Sequence, residues 1–184
     1  MDDIARRAGI SKKTLYQHFA NKQEVVNDSV IWYKNQMTEM CNSTLNNAEN
    51  AIEAMVRMMA YFDSMNKRIN PMALFEMQRF FPDAYKTFRE LLASKDVTMM
   101  KENILWGMEE GLYREDINAE LLARYRLETS LLVLQPNLLV SDRNDLMSVA
   151  LEIGEHFLYG IMTDKGVKLY KKYKEKYLKQ ASQL

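Results

Sequence analysis

Residues 1–26 read MDDIARRAGISKKTLYQHFANKQEVV, and this stretch decides the fold of the amino-terminal part of the chain. Two aspartates at its start place negative charge where a helix dipole favours it. Gly9 can adopt the left-handed conformation that ends a helix, and Ser11 can then cap a second helix over residues 12–19. The stretch therefore predicts two short helices joined by a tight glycine turn.

A third helix is predicted immediately behind these two. Asn21 and Glu24 have the spacing of a capping box, in which each side chain accepts a backbone hydrogen bond near the helix start. The apolar residues that follow recur every three or four positions, which marks one face of a helix over about residues 22–41: Val26, Val30, Tyr33, Met37 and Met40. This continuous stripe predicts a helix that connects the first two helices to the rest of the chain.

The second helix has two different sides. Leu15 and Phe19 fall on one side and can anchor it, while the residues that point away are cationic, hydrogen-bonding or aromatic: Lys13, Thr14, Gln17 and, at the flank, Tyr16. Such a face can enter the major groove of DNA, where lysine and glutamine reach base edges and hydroxyls reach phosphates. A solvated helix surface is the alternative interpretation of this face taken alone.

The order of residues in this stretch resembles the DNA-binding motif of the TetR family of bacterial transcription regulators. The match is carried by Ile4, Ala5, Ala8, Gly9, Ser11, Thr14, Leu15, Tyr16, His18, Phe19, Asn21 and Lys22. The resemblance implies an all-α homodimer whose second motif helix binds double-stranded operator DNA and whose larger carboxyl-terminal domain binds a small-molecule effector. The candidate DNA-binding residues are Ser11, Lys12, Lys13, Thr14, Tyr16, Gln17, His18 and Lys22.

The resemblance also implies a helix ahead of the motif. Members of the family carry a complete amphipathic helix there, so we expect about 20 to 30 further residues upstream of Met1, one helix and a short lead. The leading hypothesis is a ligand-responsive regulator, a repressor released from its operator by a largely apolar effector. The alternative is a helical small-molecule-binding dimer that does not bind DNA because its first helix is absent.

The composition restricts the classes of partner. The chain of 184 residues has 25 Lys plus Arg and 25 Asp plus Glu, so DNA binding requires a local cationic patch. The first 26 residues contain five cationic and three acidic side chains. Cys41 is the only cysteine, which excludes an intrachain disulfide. No apolar run approaches the roughly 18 residues of a membrane span, and the sequence predicts a cytoplasmic protein.

The remaining pattern predicts an all-α chain: a helix-turn-helix DNA-binding unit with its connecting helix over residues 1–42, followed by a larger effector-binding and dimerisation domain over residues 43–184. Polar residues predict a loop over residues 42–49. Further helices are predicted over residues 51–67, 72–81 and 83–110, from residue 118, and over residues 145–161. Pro82 suits the first turn of its helix, and Gly111 can end that helix.

Two surfaces of the second domain carry candidate functions. In the family the last two major helices form a four-helix bundle with their copies, which suggests a dimer interface at Leu146, Val149, Ile153, Gly154, Phe157 and Gly160. Packing inside one subunit is the alternative for these residues. The 14 methionines and many aromatic residues suit a malleable apolar pocket. The candidate ligand-binding residues are Met59, Phe62, Phe75, Phe88, Met100, Ile104, Trp106, Tyr125 and Glu128.

The same pocket residues also suit an ordinary core, so both interpretations stay open for them. Tyr125 or Glu128 is the expected polar group, on a helix expected to run through the core. The lysine-rich tail carries Tyr170, Tyr173 and Tyr177 on one helical face, which favours docking over a second nucleic-acid surface. Catalytic and metal-binding motifs do not occur in the sequence, and the two histidines lie far apart.

Overall fold

The computed structural model describes residues 1–66, 72–132 and 146–178, and its regular elements are helical, as the sequence predicts. The elements, in chain order, are α1 (Asp2–Ala8), α2 (Lys12–His18), α3 (Lys22–Asn46), α4 (Ala51–Asn66), α5 (Ala73–Phe80), α6 (Pro82–Leu91), a π-helical segment (Leu92–Asp96), α7 (Val97–Glu109), α8 (Ala119–Leu132), α9 (Leu146–Ile161), α10 (Asp164–Tyr173) and a second π-helical segment (Lys174–Leu178). The predicted helix end at Lys67 and helix start at Asp145 lie outside the described residues.

The predicted caps of the first three helices are confirmed. Gly9 ends α1 with a φ of 68°, in the left-handed region that favours glycine. The Ser11 hydroxyl accepts a hydrogen bond from the Thr14 backbone N–H at 3.0 Å. Asn21 Oδ1 accepts from the Glu24 N–H at 3.0 Å, and the Glu24 carboxylate accepts from the backbone N–H of Ala20 at 2.5 Å.

Helix α3 is longer than its sequence predicts. It continues through Asn46, so the predicted loop over residues 42–49 is wrong for most of its length. Cys41 and Thr44 extend the buried side begun by Met37, and burial of this side outweighs the weak helix preference of the surrounding polar residues. Burial also raises the pKa of the Cys41 thiol to about 11. The domain boundary expected at residue 42 therefore falls inside a helix.

The core of the larger part is built around α4, which packs against α3, α7, α9 and α10. The first residues of α4 are buried almost completely: Ala51, Ile52, Glu53, Ala54, Met55 and Val56. Asn103 of α7 is buried beside them and donates a hydrogen bond to the Ala51 carbonyl at 3.0 Å. The hydroxyl of the fully buried Tyr113 donates to Asn103 Oδ1 at 3.2 Å. This network fixes the start of α4 against the end of α7.

The helix predicted over residues 83–110 is interrupted by a change of helix type. It begins at Pro82, as expected from proline's fixed φ, and ends before Gly111, which has a φ of 66°. Between these ends the backbone adopts π-helical hydrogen bonding from Leu92 to Asp96. Asp96, at the end of this π segment, forms an ion pair with Lys34 of α3.

The tail docks on the body through its tyrosines, as predicted. Tyr170 and Tyr173 are buried, and the Tyr177 hydroxyl donates to Glu53 of α4 at 2.5 Å. Lys174 pairs with Glu155 of α9 at 2.5 Å. Across the described ranges, none of the helices is both long enough and apolar enough to cross a membrane.

Candidate functional site

Helices α1 and α2 pack against each other through a small apolar contact. Ala5 and Leu15 are both buried, at 4% and 3% exposure, so Leu15 anchors α2 as its position predicts. Phe19 is half-buried and follows the last residue of α2. The opposite side of α2 consequently faces outward.

This outward side carries most of the predicted DNA-binding residues. Lys13, Tyr16, Gln17 and His18 are all exposed, with 47% of the Tyr16 surface accessible. Ser11 and Thr14 are engaged with each other, since their hydroxyl oxygens lie 2.8 Å apart at the amino terminus of α2. The face therefore offers the hydroxyl of Tyr16, the amide of Gln17 and the ammonium group of Lys13. Ser11 and Thr14 cap the start of the same helix.

The cations near this face are not equivalent. Lys12 forms an ion pair with Asp2 of α1 at 2.8 Å, and this hydrogen-bonded contact lowers the pKa of Asp2 and raises that of Lys12. Lys22 lies at the start of α3, with its Nζ 5.3 Å from the centre of the Phe81 ring. Among the described residues, no carboxylate pairs with Lys13. Of the described lysines around this face, Lys13 and Lys22 form no ion pair, so the charge of Lys13 on α2 can interact with an external partner.

The predicted ligand-binding residues divide by their location. Met59, Met100 and Ile104 are buried in one core cluster, against which Trp106 packs. Phe75 and Phe88 are half-buried, and Phe62 is 38% exposed. The structure therefore brings the methionines and Ile104 together and leaves Phe62 at the surface.

Tyr125 and Glu128, the polar groups expected to orient a ligand, both lie at the surface of the single subunit. Tyr125 is 53% exposed, and Glu128 is exposed with both carboxylate oxygens accepting from Arg89, at 3.0 and 2.6 Å. The side of α8 that faces the interior is marked by the buried Ala119 and Ala123. Because each residue of an α-helix advances by about 100°, Tyr125 lies on a different side of the helix from Ala123.

Arg126 lies on that inward face and was missed by sequence reasoning. It is half-buried, seven residues after Ala119 and three after Ala123, so it follows the helical spacing of the buried alanines. Its spacing from Ala119 and Ala123 could have indicated that Arg126 faces inward. Alanine is small and only weakly apolar, however, so the buried side of α8 was hard to recognise from the sequence. The structure thus places a guanidinium, rather than Tyr125 or Glu128, on the side of α8 that faces the interior.

The predicted dimer residues also divide. Gly154 and Phe157 are buried inside the subunit, so their assignment to an outer interface is wrong: α9 turns them toward α4 and α8. Val149 and Ile153 are half-buried, and Gly160 is exposed with open space around it. The Leu146 side chain lies outside the described residues. On α8, large apolar side chains form an exposed stripe at helical spacing: Leu121, Tyr125 and Leu132, at 62%, 53% and 38% exposure.

Comparison with known proteins supports the resemblance of the first residues. Residues 1–28, which include α1, α2 and the start of α3, match the family model of bacterial regulatory proteins, tetR family. The amino-terminal part of the chain is therefore similar to the DNA-binding part of this family. Among curated TetR-family relatives, the chain is 25% identical over 131 residues to the HTH-type transcriptional repressor KstR2 of Mycobacterium tuberculosis. That match covers 70% of this chain and 66% of KstR2, just under two thirds of the relative.

Solved structures of regulators share the whole fold. A transcriptional regulator from Cytophaga hutchinsonii superposes with a TM-score of 0.70 at 19% identity, over 89% of this chain and 88% of that one. FadR from Bacillus subtilis, solved in complex with stearoyl-CoA, gives 0.64 at 16% identity, over 87% of each chain. The structure of KstR2 gives 0.54 at 19% identity, over 88% and 84%. At these identities the likeness establishes a shared fold alone.

Proposed function

We propose that this chain is a ligand-responsive transcription regulator, a repressor that a small, largely apolar effector releases from double-stranded operator DNA. The observation that carries this proposal is the outward face of α2, where Lys13, Tyr16 and Gln17 are exposed on a helix anchored by Leu15. A helix held in this way presents its polar face to the major groove, and a dimer presents two such helices to half-sites about 34 to 36 Å apart. A protein of this kind acts in the cytoplasm, where bacterial DNA lies.

Helix α3 supplies the physical connection that such a response needs. It starts directly behind α2, continues for 25 residues and packs against α4 and α6. We propose residues 1–42 as the DNA-binding unit and residues 43–184 as the effector-binding and dimerisation unit, with α3 crossing the boundary. The effector must bind the DNA-incompetent arrangement more tightly than the competent one, because only differential affinity shifts the equilibrium.

The chemistry of the core supports an apolar effector. Met59, Met100 and Ile104 meet in one cluster, and methionine side chains adapt to varied shapes. The Bacillus subtilis regulator of this fold is solved with stearoyl-CoA, and the Mycobacterium tuberculosis relative is described as a ketosteroid regulator. A stearoyl chain and a steroid ring system are both large apolar groups, and an effector with such a group is the class we propose here. The named relatives are regulators, so we propose no catalytic activity.

Substitution of Tyr16 by alanine tests DNA binding. The change removes an exposed hydroxyl and ring from the α2 face, so we expect about 10- to 100-fold weaker binding to operator DNA, equivalent to roughly 1–3 kcal/mol. Fluorescence anisotropy with duplexes from the region upstream of the gene measures this. Trp32, 65% exposed on α3, provides the matched control Trp32→Ala, which should bind DNA normally.

Wild-type affinity should also fall steeply as salt rises, because phosphate contacts release counterions. Binding without sequence preference and without salt dependence would contradict the proposal and favour the alternative, a small-molecule-binding dimer that does not bind DNA. Loss of the dimer in Tyr16→Ala would show that Tyr16 has a structural role instead of a contact role.

We further propose that a second copy of the chain covers the exposed stripe of α8 together with the outer side of α9, where Val149, Ile153 and Gly160 lie. Leu121→Glu places a charge on this stripe at a position that is 62% exposed in the single subunit. The monomer should fold normally, while the dimer dissociation constant should rise by at least about tenfold, because the charge would be desolvated on association. Sedimentation equilibrium measures both states. Trp32→Glu on α3, 65% exposed, is the matched control, and an unchanged dimer in Leu121→Glu would exclude this surface.

A further inference from the structure

The inward position of Arg126 is unusual for a charged side chain. Along α8, Ala119 and Ala123 are buried on the face that Arg126 continues, and Ser130 follows at the next position of the same face, half-buried. Ser130 satisfies its hydroxyl locally by donating to the Leu127 carbonyl at 2.7 Å. Of these four residues on the inward side of α8, Arg126 is the charged one.

The guanidinium lies where α4, α8 and α9 meet. A Cβ on Gly154 of α9 would come within 3.1 Å of the Arg126 Nη2 atom and within 3.1 Å of the Met59 methyl carbon. The glycine thus leaves room for the guanidinium close to the α9 backbone. The Arg126 Cζ atom lies 5.9 Å from the centre of the buried Phe157 ring. Burial lowers the pKa of Arg126, yet a guanidinium stays charged at any physiological pH.

Three of the four described carboxylates on α8 and α9 are committed to other cations, and the fourth, Glu152, is exposed on α9. On α8, Glu120 pairs with Lys101 and Arg124, while Glu128 pairs with Arg89. On α9, Glu155 pairs with Lys174. Within the described residues no carboxylate forms an ion pair with Arg126. The Phe157 ring offsets only part of the cost of removing this cation from water.

We propose that Arg126 binds the anionic group of the effector, a carboxylate or phosphate at one end of an otherwise apolar molecule, in the region between α4, α8 and α9. The planar fork of a guanidinium matches either anion with two parallel hydrogen bonds. Met59 and Phe157 supply apolar contacts beside the charge, and the core cluster around Met100 and Ile104 continues them. This inference rests on the proposed function, since it assigns the chemistry of the effector, but it is tested without DNA.

The test compares acids, alkyl phosphates and alcohols of equal chain length. Octanoate, dodecanoate and octadecanoate, their alkyl phosphates and the corresponding alcohols are titrated into the full chain by calorimetry. We expect at least one anion to bind wild type about tenfold or more tightly than its alcohol. In Arg126→Met that anion should bind about 10- to 100-fold more weakly while the alcohol is unaffected. The stronger of the acid and phosphate series identifies the anion. Arg124→Met, exposed on the same helix and paired with Glu120, should change neither affinity.

The melting temperature of the ligand-free protein separates a binding role from a structural one. If Arg126 awaits an external anion, Arg126→Met should melt at the same temperature as wild type or higher, because a costly cation is replaced by an apolar side chain of similar length. A lower melting temperature with unchanged anion affinity overturns the proposal. The proposal is also overturned if wild type shows no saturable anion binding or binds acid and alcohol equally well. Loss of the dimer in Arg126→Met with unchanged anion affinity would overturn it too. Failure to bind any operator would refute the proposed function while leaving these binding results unaffected.

Discussion

Replacement of Lys34 by methionine is expected to lower the free energy of unfolding by about 3 kcal/mol, because it leaves a carboxylate in the interior without its cation. The Lys34 side chain is 6% exposed and pairs with Asp96, whose side chain is 21% exposed. Its Nζ also lies 5.7 Å from the centre of the Phe88 ring. The estimate is at the lower end for buried ion pairs because Asp96 keeps some contact with water.

Urea denaturation with an unchanged slope measures this effect. Lys95→Met is the matched control: Lys95 is exposed, and its Nζ lies 3.3 Å from Asn35 Oδ1, so we expect a change within about 0.5 kcal/mol. The double variant Lys34→Met with Asp96→Asn should recover part of the loss, since no unpaired charge remains. A single variant as stable as wild type would show that the pair is solvated.

The same pair has a functional consequence. Lys34 lies on the part of α3 that belongs to the proposed DNA-binding unit, and Asp96 lies between α6 and α7 of the larger part. If the proposed effector response is correct, a protein lacking this pair should still fold at low temperature and bind operator DNA. The effector should then release it from the DNA less effectively than it releases wild type. The pair is therefore the first contact to substitute when DNA affinity and effector response are measured together.

The second large effect is expected from Gly107→Ala. A Cβ at this position would lie 2.1 Å from Cδ2 of the Tyr113 ring, which is completely buried and hydrogen-bonded to Asn103. The Gly107 carbonyl also accepts from the backbone N–H groups of Leu112 and Tyr113, at 2.8 and 2.9 Å. Since neither the ring nor the turn can shift cheaply, we expect a net loss of about 2 kcal/mol, even after alanine's better helix propensity is counted.

The control for this variant is Gly160→Ala. Gly160 is also a helical glycine, but no atom lies within 4 Å of its added Cβ. Because Gly160 also lies on the proposed dimer surface, both glycine variants are compared in the Leu121→Glu background. Thermal unfolding should show unchanged or slightly higher stability for Gly160→Ala there, by up to about 1 kcal/mol, because alanine favours the helix. Equal effects at the two positions would mean that the Tyr113 contact contributes little.

The features that the sequence predicts correctly are those determined by neighbouring residues. Gly9, Ser11, Asn21 and Gly111 each act within one turn of their own position, so their residue types specify the caps that the structure shows. The tyrosine face of the tail was equally predictable, since its three-to-four spacing survives in α10 and the segment that follows it.

The features that the sequence does not predict depend on which helices meet. The spacing from Ala119 and Ala123 is a weak local signal for Arg126, and the packing of α8 on α9 is what separates it from the exposed Arg124. Tyr125 and Glu128 were chosen because they are polar groups on a helix expected to run through the core, and the sequence did not show which side of that helix faces inward. The end of α3 was misplaced for a related reason: residues 42–46 have weak helix preference, and tertiary burial of Cys41 and Thr44 decides the outcome.

The π-helical turn at Leu92–Asp96 joins α6 to α7 and sets how far α6 is rotated about its own axis relative to α7. Each residue of an α-helix advances the side chains by about 100°, so a surplus residue within one turn changes the direction in which everything beyond it points. Removing one residue from this π-helical segment would change the orientation of the flanking helices as well as their separation. It would swing α6 about its own axis relative to α7, and with it the surface that α6 presents to α3. A change of length at this joint therefore acts as a rotation of the surface against which α3 packs, and α3 connects the proposed DNA-binding face to the rest of the chain.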